Sequence, residues 1–408
     1  MSEAAHIPQL RFPEYSANWS QRLLSDFLIP TLREIEKPKV NYLAIGLRSH
    51  CKGTFQKPDS DPSKIAMEKL FRVKENDLIV NITFAWEGAI AIVKENDEGG
   101  LVSHRFPTYT FDTNITSHHF FKHQFINKRF RYMLDLISPG GAGRNRVMSK
   151  KEFVKLKVPL PSVGEQQKIA AFLTAVDNKI EQLSKKQALL GSWKKGLMQQ
   201  IFSQAIRFKA DDGSAFPVWE EKNIVELAKT SIGLVTSMTP YYVDKGVPLI
   251  RNNDIFQNKI RKEKLIRLDY EFDQLNKNRR LFTNDIVTVH TGNIGASAVI
   301  DEELNGCQGF ATLNTRIKNQ NEISSSFLCW YYNSTRNIKY ALSMATGDGR
   351  SNYNLKDFNK ATIPVPSLPE QTKIAAFLTA ADNKIEQVGK QFDESKQFKK
   401  ALLQQMFV

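Results

Sequence analysis

The sequence has few cysteines and no long apolar run. Its three cysteines, Cys51, Cys307 and Cys329, are scattered and show none of the Cys-x-x-Cys spacing of zinc or redox sites, so we interpret them as packed or half-exposed thiols. No stretch approaches the roughly 18 to 20 consecutive apolar residues that span a bilayer, and the N-terminus lacks the apolar segment of a secretory signal. We therefore expect a protein of the cytoplasm with no membrane segment.

Catalytic motifs are missing as well. An adenine methyltransferase needs an Asn/Asp-Pro-Pro-aromatic loop to hold its flipped base, and the chain has no Pro-Pro dipeptide. A phosphate-binding G-x-x-x-x-G-K-S/T loop is also absent. The string "PDSDPSK" at residues 58–64 is too rich in turn residues to supply the paired carboxylates that a metal-dependent nuclease needs on adjoining strands. The sequence therefore predicts no catalytic residue, no metal site and no cofactor in this chain.

Positive charge is present in excess. Fifty-seven Lys and Arg against 43 Asp and Glu give a formal net charge of +14, which favours a polyanionic partner. His118, His119 and His123 have no cysteine or carboxylate at ligand spacing, and we predict solvated or phosphate-contacting side chains rather than a metal site.

A repeated block is the clearest positive feature. The block "VPLPSVGEQQKIAAFLTAVDNKIEQ" at residues 158–182 and the block "IPVPSLPEQTKIAAFLTAADNKIEQ" at residues 363–387 align without a gap and differ at only six positions. The similarity continues more weakly from Trp193 to Phe202 and from Phe398 to Phe407. The chain is therefore a tandem duplication, in which a variable segment of about 150 residues precedes each copy of the block.

Each copy of the block is predicted to form a long helix. A Ser with a Glu three residues later, at Ser162 and Glu165 and again at Ser367 and Glu370, indicates a capping box at the helix start. Apolar residues then alternate by four and three, which predicts a coiled-coil seam. The seam positions are Ile169, Leu173, Val176, Ile180 and Leu183 in the first copy and Ile374, Leu378, Ala381, Ile385 and Val388 in the second. Each rod would be roughly 58 Å long, and two homologous helices related by a pseudo-twofold axis would pair antiparallel.

Short strand-like runs occupy matched places in the two variable segments. The run "NDLIVNITF" at residues 76–84 and the run "NDIVTVHTGN" at residues 284–293 are each followed by a Gly and a second apolar run, which predicts a β-meander in each segment. Outside these runs the segments diverge. We predict a globular domain at residues 1–157, a helical region at 158–205, a second globular domain at 206–362 and a second helical region at 363–408.

The repeated block also carries a family resemblance. The pattern P-x-P-S-x-x-E-Q-x-K-I-A-x-F-L-x-x-x-D-x-K-I, present twice, and the openings at Trp19 and Trp219 resemble the DNA-specificity subunit of type I restriction-modification systems over the whole chain. The resemblance implies an α+β fold with two globular α/β target-recognition domains, separated by two long antiparallel helices that form a coiled coil in a pseudo-twofold internal repeat. Each domain would read one half of a split site in double-stranded DNA, and the helices would set the gap between the halves.

The same resemblance implies partners. Two methyltransferase subunits would dock on the helices with S-adenosylmethionine, and restriction motor-nuclease subunits would supply ATP- and Mg-dependent translocation and cleavage, so this chain would not be the catalyst. The half-sites would differ from each other and lie about one helical turn apart. An alternative is a coiled-coil adaptor whose variable domains bind proteins. A fused methyltransferase-nuclease is disfavoured by the missing motifs.

Loops in which the two halves differ are the candidate base-reading elements. Arg typically reads guanine and Asn reads adenine, while Lys, Ser and Thr contact phosphates. Polar-basic loops early in each variable segment contribute Arg48, Ser49, His50 and Lys52, and Arg251, Asn252, Asn253 and Asp254. Gly-rich loops ahead of each long helix contribute Arg144, Asn145 and Arg146, and Arg350, Asn352 and Tyr353. Loops after the first meander strand contribute a third set, Thr83, Trp86, His290, Thr291 and Asn293, in which Trp86 fits the core equally well.

Overall fold

The structure, a computed structural model, describes residues 7–140, 146–345 and 352–407. It divides into a first unit, made of Met1–Ser184 and Lys390–Val408, and a second unit, made of Lys185–Gly389. Each unit therefore contains the beginning of one long helix and the end of the other. The segments predicted from the sequence follow the chain in order and did not include this exchange.

The first unit contains two main sheets and a separate strand pair. The pair joins Ser20–Leu23 to Lys157–Leu160. The four-stranded antiparallel sheet has the order Leu28–Pro30, Thr108–Phe111, Leu78–Val80, Ile90–Ile92. The five-stranded sheet has the order Glu34–Glu36, Lys69–Arg72, Leu101–Val102, Tyr42–Leu47, Thr54–Ser60. The α-helices of the globular part are His118–Gln124, Lys128–Leu136 and Lys150–Val154, and the 3-10 turns are Leu24–Asp26, Pro62–Lys64, Ala85–Glu87 and Glu95–Asp97.

The second unit has the same kinds of element. Its separate strand pair joins Glu220–Asn223 to Thr362–Val365. One four-stranded sheet has the order Ala228–Ile232, Thr312–Ile317, Ile286–Val289, Ser297–Val299, and another has the order Tyr242–Val243, Ile266–Leu268, Val247–Arg251, Gln308–Phe310. A small hairpin pairs Ile255–Phe256 with Lys259–Ile260. The α-helices of the globular part are Ile224–Leu227, Tyr270–Leu275, Ser325–Tyr332, Thr335–Met344 and Leu355–Phe358, and the 3-10 turns are Thr239–Tyr241, Asn252–Asp254, Lys277–Arg279 and Glu302–Leu304.

One type of main sheet recurs in both units, whereas the other main sheet differs between them. The predicted meanders are confirmed, because Leu78–Val80 pairs antiparallel with Ile90–Ile92, and Ile286–Val289 pairs antiparallel with Ser297–Val299. The sheets that hold these meanders have the same strand order when their strands are numbered along each unit. The remaining main sheet has five strands in one unit and four in the other, in different orders. The duplication therefore preserved a frame and changed what is built on it.

The repeated blocks form two long helices, the central helix Val163–Phe202 and the C-terminal helix Leu368–Gln405. At about 1.5 Å per residue they are about 60 and 57 Å long. In the first unit, Ile169 at the start of the central helix shares a core with Met406 at the end of the C-terminal helix, and Asp177 pairs with Lys399. Residue numbers therefore rise along one helix as they fall along the other, as in the predicted antiparallel pair.

The second unit repeats this pairing with the helices exchanged. Ile374 at the start of the C-terminal helix shares a core with Phe202 at the end of the central helix. Lys194 pairs with Asp382, the duplicate of the ion pair in the first unit. The lysine side chains of these two pairs are only 18% and 20% exposed.

The predicted seam positions are all buried or half-buried. Trp193 and Phe398, which open the weaker continuation of the repeat, are 49% and 53% exposed. Trp193 lies beside Phe377, with 6.1 Å between ring centroids. The contact between the two helices therefore rests on a narrow stripe of apolar residues, and the large rings of Trp193 and Phe398 lie at the edge of that stripe.

Each long helix begins beside a buried carboxylate that is clamped by an arginine. Glu165 is 1% exposed, and Arg11 donates to its two oxygens from Nε and Nη2, both at 2.7 Å, while Trp19 Nε1 donates at 3.4 Å. A carboxylate removed from water needs such a partner, and the planar guanidinium supplies two donors at once.

The second unit repeats the clamp. Glu370 is fully buried and accepts from Arg207 Nε at 3.1 Å, from Arg207 Nη2 at 2.7 Å and from Trp219 Nε1 at 3.0 Å. The predicted capping boxes are therefore wrong, because both glutamate side chains bind an arginine rather than the helix start. Only Ser162 keeps its half of the motif, accepting from the Glu165 N–H at 3.4 Å.

Within the described residues, no helix is long and apolar enough to cross a membrane. All three cysteines are free thiols, with Cys307 and Cys329 buried and Cys51 half-buried, as expected from the sequence. Burial raises the pKa of Cys51 to about 11 and that of Cys307 to about 12.

Candidate nucleic-acid interface

In the first unit, the loop at residues 48–52 is the turn of a hairpin. The strands Tyr42–Leu47 and Thr54–Ser60 pair on either side of it. The N–H of His50 donates to the Glu87 carbonyl at 2.7 Å, and the N–H of Cys51 donates to the Gly88 carbonyl at 2.8 Å. The loop that follows the first meander strand therefore fixes the position of this turn.

Side chains bring a third loop to the same place. Ser49 Oγ donates to the Glu87 carboxylate at 2.6 Å. The guanidinium of Arg146, from the loop ahead of the central helix, lies 5.1 Å from the ring centroid of Trp86 and pairs with Asp135 at 2.7 Å. Three loops that the sequence singled out separately thus meet in one site of the first unit.

Exposure separates the residues of this site by role. Arg48, His50 and Lys52 are exposed, and the Arg48 guanidinium rests 5.5 Å from the ring centroid of Phe55. These side chains are available to phosphate oxygens and base edges. Arg146 is already held by the Asp135 carboxylate and by the carbonyl oxygens of Asp135 and Ser138, so it shapes the site more than it projects from it.

The second unit brings together the corresponding loops. Asn252 Nδ2 donates to Thr291 Oγ1 at 3.0 Å, and His290 Nδ1 lies 2.7 Å from Asn352 Oδ1. The N–H of Tyr353 donates to the His290 carbonyl at 2.9 Å. The convergence of early loop, meander loop and Gly-rich loop is therefore repeated, but amides and a hydroxyl stand where the first unit has charged groups.

Among the asparagines of these loops, Asn253 and Asn293 are exposed, whereas Asn252 is held by a hydrogen bond. Asn253 and Asn293 project into solvent. Asn252 is oriented by its bond to Thr291, and its Oδ1 has no hydrogen-bond partner among the described residues. Arg251 forms an ion pair with the buried Asp254 at 3.1 Å and so stabilises the turn.

The structure corrects one predicted contact. Tyr353 is 1% exposed and packs edge to face against Phe358, with 5.7 Å between ring centroids. Its side chain belongs to the core, because the residue after Asn352 turns inward. Three further predicted residues, Arg144, Asn145 and Arg350, lie outside the described residues.

Of the two acidic residues that hold these loops, sequence reasoning missed Glu87 and placed Asp254 among the candidate DNA-contacting residues. Glu87 anchors Ser49, and Asp254 binds both Arg251 and Arg261. A carboxylate is unfavourable beside DNA, so nothing in the pattern marked Glu87. Arg261 is 47% exposed and lies 5.6 Å from the ring centroid of Phe256. The run of charged residues around Arg261 was the sequence feature that could have identified this residue as a candidate.

The histidine cluster differs from its prediction. His123 is 1% exposed, and neither ring nitrogen has a hydrogen-bond partner among the described residues. Burial, with the nearby charges of Lys122 and Lys399, lowers the pKa of His123 to about 3. Burial also lowers the pKa of His118 to about 4. His123 is therefore a neutral core residue, and the prediction of a solvated or phosphate-contacting side chain is wrong for it.

The string "PDSDPSK" forms a strand end and a short turn. Asp61 accepts from the backbone N–H of Ser63 at 2.9 Å and from its hydroxyl at 2.7 Å. In the part of the chain that the structure describes, no group of three or more His, Cys, Asp or Glu side chains is placed to hold a metal ion.

Comparison with known proteins places the repeats in a family. A family model for the type I restriction modification DNA specificity domain matches residues 28–190 and 218–392. A putative type I restriction enzyme MjaX specificity subunit of Methanocaldococcus jannaschii is 26% identical over 275 residues, which is 63% of this chain and 59% of that protein. The EcoBI specificity subunit of Escherichia coli is 25% identical over 61% of this chain and 57% of its own length. The chain thus aligns with about six tenths of the length of these relatives.

Solved structures share the fold at low sequence identity. The HsdS subunit from Thermoanaerobacter tengcongensis has a TM-score of 0.52 at 16% identity, with 97% of this chain and 98% of that chain covered. The S subunit of a type I restriction-modification system from M. genitalium has a TM-score of 0.59 at 15% identity, with 98% and 99% covered. The two-domain, two-helix architecture is therefore common to all three chains.

Proposed function

Because the chain belongs to the family of type I restriction-modification DNA specificity domains, we propose that it reads a bipartite, asymmetric site in double-stranded DNA. The observation that carries this proposal is the matched convergence of three loops in each unit, with Arg48, His50 and Lys52 exposed in one and Asn253 and Asn293 exposed in the other. A preserved frame with unlike polar groups is what two readers of two different half-sites need.

The helices would act as the spacer. In each unit the start of one long helix pairs antiparallel with the end of the other, and the ion pairs Asp177–Lys399 and Lys194–Asp382 lie at duplicate positions. Helices about 60 Å long would be suited to the role of spacer. We expect the half-sites to lie about one turn of DNA apart, because a pseudo-twofold protein favours that spacing.

Catalysis would come from partners. Two methyltransferase subunits would bind S-adenosylmethionine and dock on the duplicated helices, and restriction motor-nuclease subunits would use ATP and Mg. The duplicated frame supports two docking faces for identical subunits, since the same side chains recur in both helices. The chain itself would position the target adenines without reacting with them.

A binding selection tests this function. The chain, co-purified with its methyltransferase subunit, is incubated with randomised DNA duplexes at several salt concentrations, and the bound DNA is sequenced. The proposal predicts enrichment of a split motif with affinity that falls steeply as salt rises. Enrichment of no motif, with no salt-dependent affinity, would favour a coiled-coil adaptor that binds proteins.

A further inference from the structure

The first unit contains a cleft between its globular part and both long helices. The cleft encloses about 610 Å³. Its lining comes from the segment 126–131, from the central helix near Asp177 and from the last turns of the C-terminal helix. Its apolar lining is formed by Ile126, Ile180, Leu403 and Phe407. A pocket of this size and chemistry accommodates one or two side chains of another protein.

Cations surround this apolar lining. Lys128, Arg131, Lys396 and Lys400 line the cleft, and within the described residues none of the four is in an ion pair. The Arg131 Nε is buried and has no hydrogen-bond partner among the described residues. The one carboxylate in the lining, Asp177, is already bound by Lys399. The cleft therefore has a surplus of positive charge that its own residues leave uncompensated.

The second unit gives an internal comparison. Phe120 and Phe327 both pack on the opening tryptophan of their unit, and Asn127 and Ser334 both cap the helix that follows, so the two stretches correspond. By this correspondence Lys128 is replaced by Thr335 and Arg131 by Ile338.

Lys396 falls on Gly191 by the spacing of the repeated block. The cleft at the corresponding place encloses about 660 Å³, and its two lysines are both paired, Lys194 with Asp382 and Lys259 with Glu386. The surplus of positive charge is therefore particular to the first unit.

We infer that the cleft of the first unit binds an acidic segment of a partner protein, with a carboxylate between the lysines and an apolar side chain on the lining. This inference rests on the proposed function, in which methyltransferase subunits dock on the helices. The apolar lining favours protein over DNA, because protein interfaces combine apolar anchors with a charged rim, whereas DNA interfaces are more polar. The lysines of the corresponding cleft are already paired, so the second unit lacks this contact, and the cleft of the first unit would add to the docking faces that the repeated helices share.

Two matched pairs of charge reversals test the inference. Lys128→Glu is compared with Arg129→Glu, because both exposed cations lie in the first turn of one helix and only Lys128 lines the cleft. Lys400→Glu is compared with Lys390→Glu, at an exposed lysine of the same helix that does not line the cleft. Binding of the methyltransferase subunit to the full chain is measured by calorimetry, and DNA affinity is measured in parallel. We expect Lys128→Glu and Lys400→Glu each to weaken methyltransferase binding about tenfold, and the two controls to change it less than about twofold.

A zero-length carbodiimide cross-link adds a direct readout. It should join the amine of Lys128 or Lys400 to an Asp or Glu of the methyltransferase subunit, and mass spectrometry then identifies the segment. Equal binding by all four variants would overturn the inference. Unchanged methyltransferase binding together with a uniform loss of DNA affinity would also overturn it, and would assign the cleft to DNA phosphates. If the unmodified chain bound no methyltransferase, the proposed function would fail first.

Discussion

At the scale of the residue, a few long-range polar contacts determine how each unit closes. Glu165 and Glu370 are fixed by arginines more than 150 positions away in the sequence, and each also receives a tryptophan N–H. These contacts join the opening of a variable segment to the start of the helix that ends it. Removing one partner leaves the other charge buried and unpaired, which costs more than the pair contributes.

Replacing Glu370 with Gln should destabilise the second unit by about 2 kcal/mol, because Arg207 loses its carboxylate but remains about a quarter exposed. Urea unfolding monitored by tryptophan fluorescence measures the effect. Lys373→Ala is the control, since it removes an ion pair to the almost fully exposed Asp211 and should change little. Equal effects of the two substitutions would contradict the structural role of Glu370.

Replacing Arg48 with Ala should weaken DNA binding by about 1 to 3 kcal/mol and relax one base position in one half-site, if the guanidinium reads guanine. The other half-site should be unchanged, because Arg48 belongs to the first unit alone. Selection from randomised duplexes measures both halves at once. Arg22→Ala, at an exposed arginine outside the three loops, is the control. No change at any position would remove Arg48 from the interface.

The buried His123 should make the first unit sensitive to acid. Its pKa is lowered to about 3 in the fold, so the unfolded chain binds the proton more readily, and stability falls as pH drops below about 6.5. At pH 5 the loss relative to neutral pH should be about 2 kcal/mol. His123→Phe should abolish this part of the pH dependence, as thermal unfolding at pH 7.5 and pH 5 would detect. An identical pH dependence in both proteins would contradict it.

At the scale of the element, local patterns predicted more than distant ones. The meanders and the long helices follow from short-range alternation and from apolar positions spaced by four and three, and both are present. The roles of Glu165 and Tyr353 could not be predicted from such short-range patterns. A capping box and an arginine clamp use the same Ser and Glu spacing, and a loop tyrosine gives no sign of whether it turns inward.

Lengthening both long helices by one heptad should widen the gap of the DNA target without changing either half-site. Insertion after Ser184 and after Gly389 keeps the seam in phase and adds about 10 Å, or about three base pairs. Mapping the recognised motif measures the gap. A two-residue insertion in both helices is the control, since it rotates the following residues by about 200°, turns the apolar stripe away from the partner helix and should impair folding. Altered half-sites with an unchanged gap would refute the spacer role.

At the scale of the whole molecule, the chain folds as two units that do not follow its linear order. The second unit is one continuous stretch, whereas the first unit is completed by the C-terminal residues. Phe407 packs edge to face on Trp19, with 6.1 Å between ring centroids, and Leu402 and Met406 lie in the same core. Sequence patterns could not show this division, because near-identical helices offer near-identical surfaces to each other.

A fragment of residues 185–389 should therefore fold cooperatively by itself, whereas residues 1–184 should not, since they would expose Trp19, Ile169 and Leu173. Adding a peptide of residues 390–408 should restore a cooperative thermal transition to the 1–184 fragment. Near-ultraviolet circular dichroism measures the packing in each case. A peptide with Phe407 and Leu402 replaced by Asp is the control, and rescue by that peptide would contradict the account.

The central claim is that one duplicated scaffold carries two domains that read different half-sites. The most direct test is single-molecule sequencing of methylated adenines in DNA from cells that express this chain with its methyltransferase, compared with cells that lack the chain. We predict a split motif with two different half-sites and one modified adenine on each strand. A continuous motif, or a methylation pattern that does not depend on this chain, would contradict the claim.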